Sequence, residues 1–575
     1  MLFRSLVSTA VLAVMRFREA PPAQPSTRFQ ILPPEKTSFN FSRLSPNGRY
    51  LAFTAAKDSR NLLWVRPLDS LEAQALPGTD GASYPFWSPD SAFIGFFAQS
   101  KLKKIALAGG PPQTLSDGIN GRGGTWNRDG VIVFSPNAGN GLVRLPAAGG
   151  VAVPVTANLG SRYPEFLPGG RSFLYTVLFG TPEVMGIYVG SLDGKPPVRI
   201  LPDATNASYA PSESSRGSGH LLFRRGTTLM AQPFDPERLR TTGDMFPLAE
   251  QVGVNTNASG STGSAAFTVS ENGVLAYSAG GAGGIRELVW ADRQGKQSKP
   301  VGPPAVYNNF RLAPDQKTIL FDQGDPQSSN LDIWVLDAVR GVTSRLTFDP
   351  ATENLAMWSP DGLRILFPSN RSGSFDLYIK AATGAGPEEL LIKLGTPTGW
   401  GADWSRDGRF ILYQIPGAKT GQDLWIAPQS GDKKAFPYLQ TQFNEQDGAF
   451  SPDGRWIAYV SDESGRDEVY VQAFPASGGK WQVSSGGGTE AAWRKDGSEL
   501  FFMAADRNLM AVPVKLGATF EAGLAKPLFP LPVSAGKHSY AIASDGQHFL
   551  TARLVGETTT PITVVLNWTA GLKKQ

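Results

Sequence analysis

Side chains with the chemistry for catalysis or metal binding are few in this chain. It contains no cysteine, which excludes disulfides, thiolate nucleophiles and Cys-ligated metals. The three histidines, His220, His538 and His548, show no H-E-x-x-H spacing, so a histidine-built zinc site is not expected. We therefore predict that the protein holds neither a metal nor a cofactor.

Two sets of catalytic motifs are missing from the sequence. A protein kinase needs an H-R-D catalytic loop and a D-F-G magnesium ligand, and neither occurs. A serine hydrolase of the α/β type needs a G-x-S-x-G nucleophile turn, which is also absent. We predict no catalytic residue and a non-enzymatic role. The alternative is a hydrolase or lyase that acts on a peptide or glycan inside a channel.

Polar side chains recur at one position of a repeat in the second half of the chain. This position, just ahead of the first strand of each repeat unit, holds Tyr307, Glu353, Glu445 and Lys537, with glycine in the two remaining units. Equivalent positions in a ring of repeats cluster at the mouth of its central channel. We predict that these four residues bind a polar ligand, a cation or a peptide end there; solvated loop charge is the alternative.

The repeat that positions them is a hairpin turn between two short apolar stretches. Proline presets φ, aspartate caps locally and glycine adopts positive φ in turns such as Ser359–Gly362 and Ser451–Gly454. The last turn residues are Gly48, Ser91, Gly130, Gly170, Gly219, Gly273, Gln316, Gly362, Gly408, Gly454, Gly497 and Gly546. Successive turns lie 39 to 54 residues apart. Four antiparallel strands at this period are typical of a propeller blade.

Twelve units exceed the ~4–8 blades of one propeller, so we predict two rings. The fold class is all-β: two six-bladed β-propellers of four-stranded antiparallel blades in tandem, over residues 26–293 and 294–575. Segments 286–291 and 562–568 would complete the last blades of the first and second rings, respectively. Segments 28–31 and 297–301 would add the outer strands that close each ring. A seven-plus-five division is the alternative.

Tryptophan recurs directly before the turn in five units. Its constant register predicts packing between neighbouring blades rather than a sugar-binding set. The five residues are Trp87, Trp126, Trp358, Trp404 and Trp493.

Residues 1–25 differ in composition from the rest of the chain. Their apolar run, residues 6–15, is about half of the ~20 residues that a spanning helix needs. It predicts an export signal or part of a membrane anchor, with membrane association through residues 6–15. The 54 Lys and Arg against 50 Asp and Glu include no basic block, so no nucleic-acid partner is expected.

The S-P-D-G turn and the strand after it resemble the TolB-like, WD40-like propeller repeat, over roughly residues 26–575. Segments Ser369–Tyr378 and Ser461–Tyr470 match this repeat as well. The whole arrangement, with the ending 561–574, resembles the C-terminal region of bacterial membrane-anchored serine/threonine protein kinases. That resemblance implies an extracytoplasmic or periplasmic sensor in the cell envelope that binds a protein, peptide or envelope ligand. The kinase domain of that family is absent from this chain.

Overall fold

The chain folds almost entirely into β-strands. The computed structural model describes residues 25–570, except 36, 38, 58–59, 119–120, 138, 158–159, 179, 182, 213–217, 258–259, 280–284, 325–330, 397, 418–420, 477, 533–536 and 556–559. Within the described residues there is no α-helix, and a single 3-10 turn covers residues 568–570. The all-β class predicted from the turn repeat is confirmed.

Fifty-two strands form thirteen sheets in the described part of the chain. The strands of the first half are β1 (Thr27–Ile31), β2 (Asn40–Leu44), β3 (Tyr50–Lys57), β4 (Arg60–Pro67), β5 (Gln74–Ala75), β6 (Ser83–Trp87), β7 (Phe93–Ala98), β8 (Lys101–Ala106), β9 (Gln113–Asp117), β10 (Gly124–Trp126), β11 (Val131–Phe134), β12 (Val143–Pro146), β13 (Val153–Pro154), β14 (Ser161–Phe166), β15 (Ser172–Val177), β16 (Gly186–Ser191), β17 (Val198–Leu201), β18 (Ala207–Pro211), β19 (Gly219–Arg225), β20 (Thr228–Asp235), β21 (Arg240–Thr241), β22 (Phe246–Ala249), β23 (Val254–Asn257), β24 (Gly260–Ala265), β25 (Phe267–Val269) and β26 (Leu275–Ser278). Those of the second half are β27 (Arg286–Asp292), β28 (Gln297–Pro300), β29 (Asn308–Leu312), β30 (Thr318–Gly324), β31 (Leu331–Asp337), β32 (Val342–Arg345), β33 (Met357–Trp358), β34 (Arg364–Ser369), β35 (Phe375–Ala381), β36 (Glu389–Thr396), β37 (Trp400–Trp404), β38 (Phe410–Pro416), β39 (Gln422–Pro428), β40 (Phe436–Leu439), β41 (Glu445–Phe450), β42 (Trp456–Ser461), β43 (Glu468–Ala473), β44 (Lys480–Gln482), β45 (Gly488–Trp493), β46 (Glu499–Ala504), β47 (Asn508–Leu516), β48 (Phe520–Ala522), β49 (Lys526–Pro530), β50 (Tyr540–Ile542), β51 (His548–Leu554) and β52 (Ile562–Leu566).

Ten of the sheets are antiparallel and are built from consecutive strands, as expected for propeller blades. They contain β2–β5, β6–β9, β10–β13, β14–β17 and β18–β22 in the first half, and β29–β32, β33–β36, β37–β40, β41–β44 and β45–β49 in the second. The predicted turns join the first two strands. At one of them Gly454 has φ 70°, Ser451 Oγ donates to Asp453 Oδ1 at 2.6 Å, and the Arg455 amide donates to the same oxygen at 3.1 Å.

The sheets are arranged in two rings. In the first ring the innermost strands contact one another in the cyclic order β2, β6, β10, β14, β18 and β25, and β25 contacts β2 again. In the second, packing runs through the sheets that begin with β29, β33, β37, β41, β45 and β50, and β50 contacts β29. The five recurring tryptophans pack between neighbouring blades: Trp87, for example, contacts the cluster of Leu63 and Val65 from the preceding blade. That prediction is confirmed.

Each ring is closed by a sheet that combines strands far apart in the sequence. In the first ring the sheet order is β25, β26, β52 and β1; in the second it is β50, β51, β27 and β28. The outer strands β1 and β28 lie where the sequence places them. The third strands are exchanged relative to our assignment. Segment 286–291 pairs with β51 of the second ring, and segment 562–568 supplies the strand that pairs with β26 of the first.

The assignment of these two third strands was wrong because their sequences carry the same pattern. Both are short runs of alternating buried residues, and alternation determines which face is buried but not which strand is the partner. The chain therefore crosses between the rings twice, through the connections from β26 to β27 and from β51 to β52.

Two parts of the architecture stay predictions. Twelve sheets of the described residues have four or five strands and a thirteenth, β23–β24, has two, so six blades per ring is kept as a prediction. The domain boundary near residue 293 is kept as one as well, although each closing sheet combines strands from both sides of it.

The predicted export signal or anchor, residues 1–25 with the apolar run 6–15, falls almost wholly outside the described residues. Among the residues that the structure does describe, no helix has the length and hydropathy to cross a membrane.

A substitution that removes packing in β52, near the C-terminal end of the sequence, should destabilise the first ring. Val564 is 0% exposed and packs against Ile31 and Ala276, so Val564→Ala should lower the free energy of unfolding by about 2 kcal/mol. Amide hydrogen exchange should accelerate in both β1 and β26, which flank β52. The control Val342→Ala, at a 60% exposed position, should change stability by less than about 0.5 kcal/mol. Unchanged amide hydrogen exchange in β1 and β26 would contradict the placement of β52 between them.

Candidate ligand-binding site

Six of the innermost strands share a backbone feature seven residues before the last residue of the following turn. There the strand has a bulge, and the residue in it has positive φ, which is costly for a side chain other than glycine. These residues are Phe41 (40°), Tyr84 (47°), Tyr163 (54°), Asn309 (45°), Asp447 (52°) and Glu490 (55°). A bulge re-aims its side chain, and contacts made by these residues across the rings show that they lie toward the centres.

Lys537 lies at the centre of the second ring. Its Nζ is 3.1 Å from Oδ1 of Asp447 and 4.3 Å from the centroid of the Trp400 indole, and its backbone amide donates to Oδ1 of Asn309 at 2.6 Å. Its three contacts belong to β41, β37 and β29, which are three different blades. The ammonium group is thus held in the middle of the ring, over an aromatic face and against a carboxylate.

Further ionisable groups surround this contact. Glu490 accepts hydrogen bonds from the amide and hydroxyl of Ser539 at 2.6 and 2.8 Å, and burial raises the pKa of Glu490 to about 7. Asp322 accepts from Asn309 Nδ2 at 2.5 Å, and burial raises the pKa of Asp322 to about 8. Two acids whose protonated forms are favoured therefore flank the ion pair.

The guanidinium group of Arg311 is buried near these residues. Arg311 contacts Nε2 of His538 at 2.9 Å and donates to the carbonyl of Ala402 at 3.2 Å. Burial, and secondly the charge of Arg311, lower the pKa of His538 well below its usual value. This histidine is therefore neutral at pH 7 and adds no positive charge beside Lys537.

The structure places the four residues predicted from the repeat in different surroundings. Lys537 is at the ring centre, as described. Tyr307 is in the core, where its ring packs 4.8 Å from that of Phe321 and its hydroxyl donates to the carbonyl of Pro303 at 2.5 Å. In the described residues, no hydrogen bond or ion pair joins any two of the four predicted residues, so their joint role as a ligand site stays a prediction.

Glu353 is held in a buried ionic cluster. Its Oε1 accepts from Ser369 Oγ at 2.8 Å and from Arg371 at 3.1 Å, and the same guanidinium pairs with Glu388. Burial raises the pKa of Glu353 to about 7. The guanidinium also lies 4.4 Å from the centroid of Tyr378. These contacts join Glu353, ahead of β33, to the end of β34.

Glu445 lines a cleft in the blade of β41–β44. It accepts hydrogen bonds from the hydroxyl and the amide of Thr441, and burial raises the pKa of Glu445. The cleft has a volume of about 330 Å³ and is also lined by Tyr459, Glu463 and Lys480. Lys480 is already paired with Glu463 at 2.5 Å.

Sequence reasoning missed Asn309, Trp400, Asp447 and Glu490. Aligning the units on their turns was sound, but the chosen position lies nine residues before the last turn residue. Asn309, Asp447 and Glu490 lie seven residues before it, where the bulge occurs. A bulge has no signature in these strand sequences. One signal in the sequence could have indicated the bulge position. Two residues after the chosen position, four of the six second-half units have a polar residue: Asn309, Asp447, Glu490 and Ser539.

The centre of the first ring has different side chains on the same backbone. The rings of Phe41 and Tyr84 lie 4.1 Å apart, and those of Tyr84 and Tyr163 lie 6.1 Å apart. The guanidinium of Arg122 lies 5.7 Å from the centroid of Tyr84. Arg43 pairs with Glu165 at 3.4 Å. The first centre is therefore aromatic and basic, whereas the second is polar and acidic around one lysine.

No group of three or more histidine, aspartate or glutamate side chains is placed to hold a metal ion in the part of the chain that the structure describes.

Solved structures similar to this chain share little sequence with it. A putative TolB from Agrobacterium tumefaciens is 16% identical, with 48% of this chain and 99% of that one covered and a TM-score of 0.38. The tricorn protease is 12% identical over 91% of this chain and 62% of that one, with a TM-score of 0.30. An oligogalacturonate lyase in complex with manganese is 14% identical over 62% and 96%, with a TM-score of 0.29.

No family model matches the chain. The TolB protein belongs to the family that the turn repeat resembles. Because all three TM-scores are below 0.5, the fold assigned above rests on the strand pairing alone.

The buried acid at the second centre should make stability depend on pH. The pKa of Glu490 is raised in the folded state, so the stabilisation from its protonated form is present at low pH and is lost as the pH rises through about 7. The free energy of unfolding should therefore fall between about pH 5 and pH 8, and Glu490→Gln should reduce this fall by roughly 1–2 kcal/mol.

Chemical denaturation of the wild type and the variant across this pH range measures the effect. Glu521→Gln, which removes an exposed carboxylate, is the control and should retain the wild-type pH dependence. An unchanged pH dependence in Glu490→Gln would show that the acid does not take up a proton on folding.

Proposed function

We propose that this protein is a β-propeller binding module that receives a protein or peptide ligand at the centre of its second ring. The observation that carries the proposal is the contact of the Lys537 ammonium with the face of Trp400 and the carboxylate of Asp447. Open ring centres, where loops and strand ends from several blades converge, are the concave surfaces of this fold.

The group recognised would be a primary amine. An aromatic face and a carboxylate together form a site for an ammonium ion, and Lys537 occupies that site in the structure. A peptide N-terminus or a ligand lysine would make the same two contacts after Lys537 moves away. Glu490, close to the same centre, would favour a cationic ligand further when it is ionised.

The location and the wider role form part of the proposal. The N-terminal pattern and the resemblance to receptor-kinase sensors support action in the cell envelope, on a protein, peptide or envelope ligand and not on nucleic acid. The channel-sited hydrolase or lyase has less support, because Glu353 and Glu445 are bound to separate partners, Arg371 and Thr441.

A peptide library tests the amine preference. Random-sequence peptides without lysine, in free and N-acetylated forms, are passed over the immobilised protein. The free-amine peptides should be retained and the acetylated ones should not. Asp447→Asn and Trp400→Leu should each weaken retention by about tenfold, since each removes one contact to the ammonium.

Two further variants sharpen the test. Lys537→Met removes the internal competitor and should strengthen binding of free-amine peptides. Asp193→Asn, at an exposed ion pair of the first ring, should leave binding unchanged. Equal retention of acetylated peptides, or full retention by a folded Asp447→Asn variant, would overturn the proposal.

A further inference from the structure

The cleft that Glu445 lines crosses one whole blade of the second ring. Its lining includes one residue from each strand of the sheet β41–β44 and Leu439 of the preceding blade. From the innermost strand to the outermost, the four are Glu445, Tyr459, Gln472 and Lys480. We call this space the blade cleft. Its volume of about 330 Å³ is at the lower end of the range for ligand pockets, which suits a single side chain of a ligand.

The lining of the blade cleft includes an exposed ion pair and a buried carboxyl group. Lys480 Nζ pairs with Glu463 at 2.5 Å, and these side chains are 40% and 21% exposed. Glu445, in contrast, is 2% exposed. Leu439 and the buried ring of Tyr459 add apolar surface to the same lining. A side chain with an apolar stem and a charged end matches this combination.

Glu445 has no cationic partner among the described residues. Its two hydrogen bonds come from the hydroxyl and the amide of Thr441. A carboxylate has about four acceptor sites, so these bonds leave room for a further donor. Burial, opposed by the bonds from Thr441 and assisted by the charges of Asp423 and Asp462, raises the pKa of Glu445. A bound cation would offset both the burial and the repulsion.

The buried carboxylate of Asp423, in β39 of the preceding blade, adds to this need for a cation. Asp423 is 1% exposed, and its Oδ2 accepts a hydrogen bond from Gln440 at 2.8 Å. Its Oδ1 is buried and accepts none in the described part of the chain. Asp423 does not line the blade cleft, so its effect on Glu445 is electrostatic. Buried charges are normally paired, and a cation bound at Glu445 would stabilise both carboxylates.

We propose that the blade cleft binds an arginine side chain of the peptide ligand, with its guanidinium group on Glu445 and its stem against Leu439 and Tyr459. A guanidinium group matches a carboxylate with paired hydrogen bonds and is more weakly hydrated than an ammonium group, which suits a buried partner. The inference rests on the proposed function, since it specifies the peptide that the second ring receives. Glu445 precedes Asp447 by two residues in β41, roughly 7 Å along the strand, so neighbouring groups of one peptide can reach both sites.

Arginine and citrulline peptides test the proposal on the immobilised full-length protein. Both sets are N-acetylated and free of lysine, so neither offers a primary amine to the ring centre. One set carries a single arginine, and the other carries citrulline, which has nearly the same shape without the charge. The arginine set should be retained about tenfold more strongly. Glu445→Gln should reduce this ratio to about one, because it removes the charge that pairs with the guanidinium group.

Matched variants separate the blade cleft from the ring centre. Glu521→Gln removes an exposed carboxylate of the same ring and should keep the wild-type ratio. Asp447→Asn should also keep the ratio, whereas Glu445→Gln should keep the preference for free-amine peptides. Leu439→Trp fills the cleft from its half-buried wall and should reduce the ratio to about one, which serves if Glu445→Gln fails to fold.

Equal retention of arginine and citrulline peptides by the wild type would overturn the arginine assignment, since the cleft would then favour no charged group. A full ratio in folded Glu445→Gln or Leu439→Trp would overturn it as well. Equal retention of free and acetylated peptides would count against the ring-centre site alone.

Discussion

Hydrogen bonds between strands that are distant in the sequence hold both rings closed. β52 pairs with β26 on one side and with β1 on the other, and in the described residues β1 has no other strand partner. β27 in turn joins β51 to β28. Without β52 and β27 each ring would keep an open sheet edge. The ring would then not be closed, and the blades would no longer be held in fixed positions relative to one another. The positions of all the central side chains depend on this closure.

The centres of the two rings have the same backbone bulge but different side chains. Three innermost strands of each ring carry the bulge with positive φ, yet the side chains on it are aromatic in the first ring and polar in the second. Tyr84 and Tyr163 stack beside arginines, whereas Asp447 and Glu490 surround a lysine. The backbone feature therefore belongs to the fold, and the side chains placed on it carry whatever is specific to this protein.

The turn repeat was sufficient to predict strands, blades and the packing of the tryptophans, because each of these depends on local pattern. Pairing over long distance was harder. Segments 286–291 and 562–568 were correctly expected to be third strands, but nothing in their alternation distinguishes one ring from the other.

The candidate site was harder still to predict, because a bulge shifts the register of the side chains. Lys537 was identified and reaches the second centre, whereas Tyr307, at the same repeat position, packs into the core against Phe321. Asp447 and Glu490, two residues further along their strands, take the places expected for the predicted set. A rule based on constant spacing cannot anticipate a change of direction within the strand.

The interlaced closing strands also determine when the protein can finish folding. β1 is synthesised long before its partner β52. During synthesis the first ring is therefore open, with unpaired strand edges at β1 and β26. Contacts between such distant segments form slowly, and exposed strand edges in a half-made chain invite pairing with other chains. Nascent chains of this protein should therefore depend on protection by chaperones until β52 has been synthesised, although most blades are built from strands that are neighbours in the sequence.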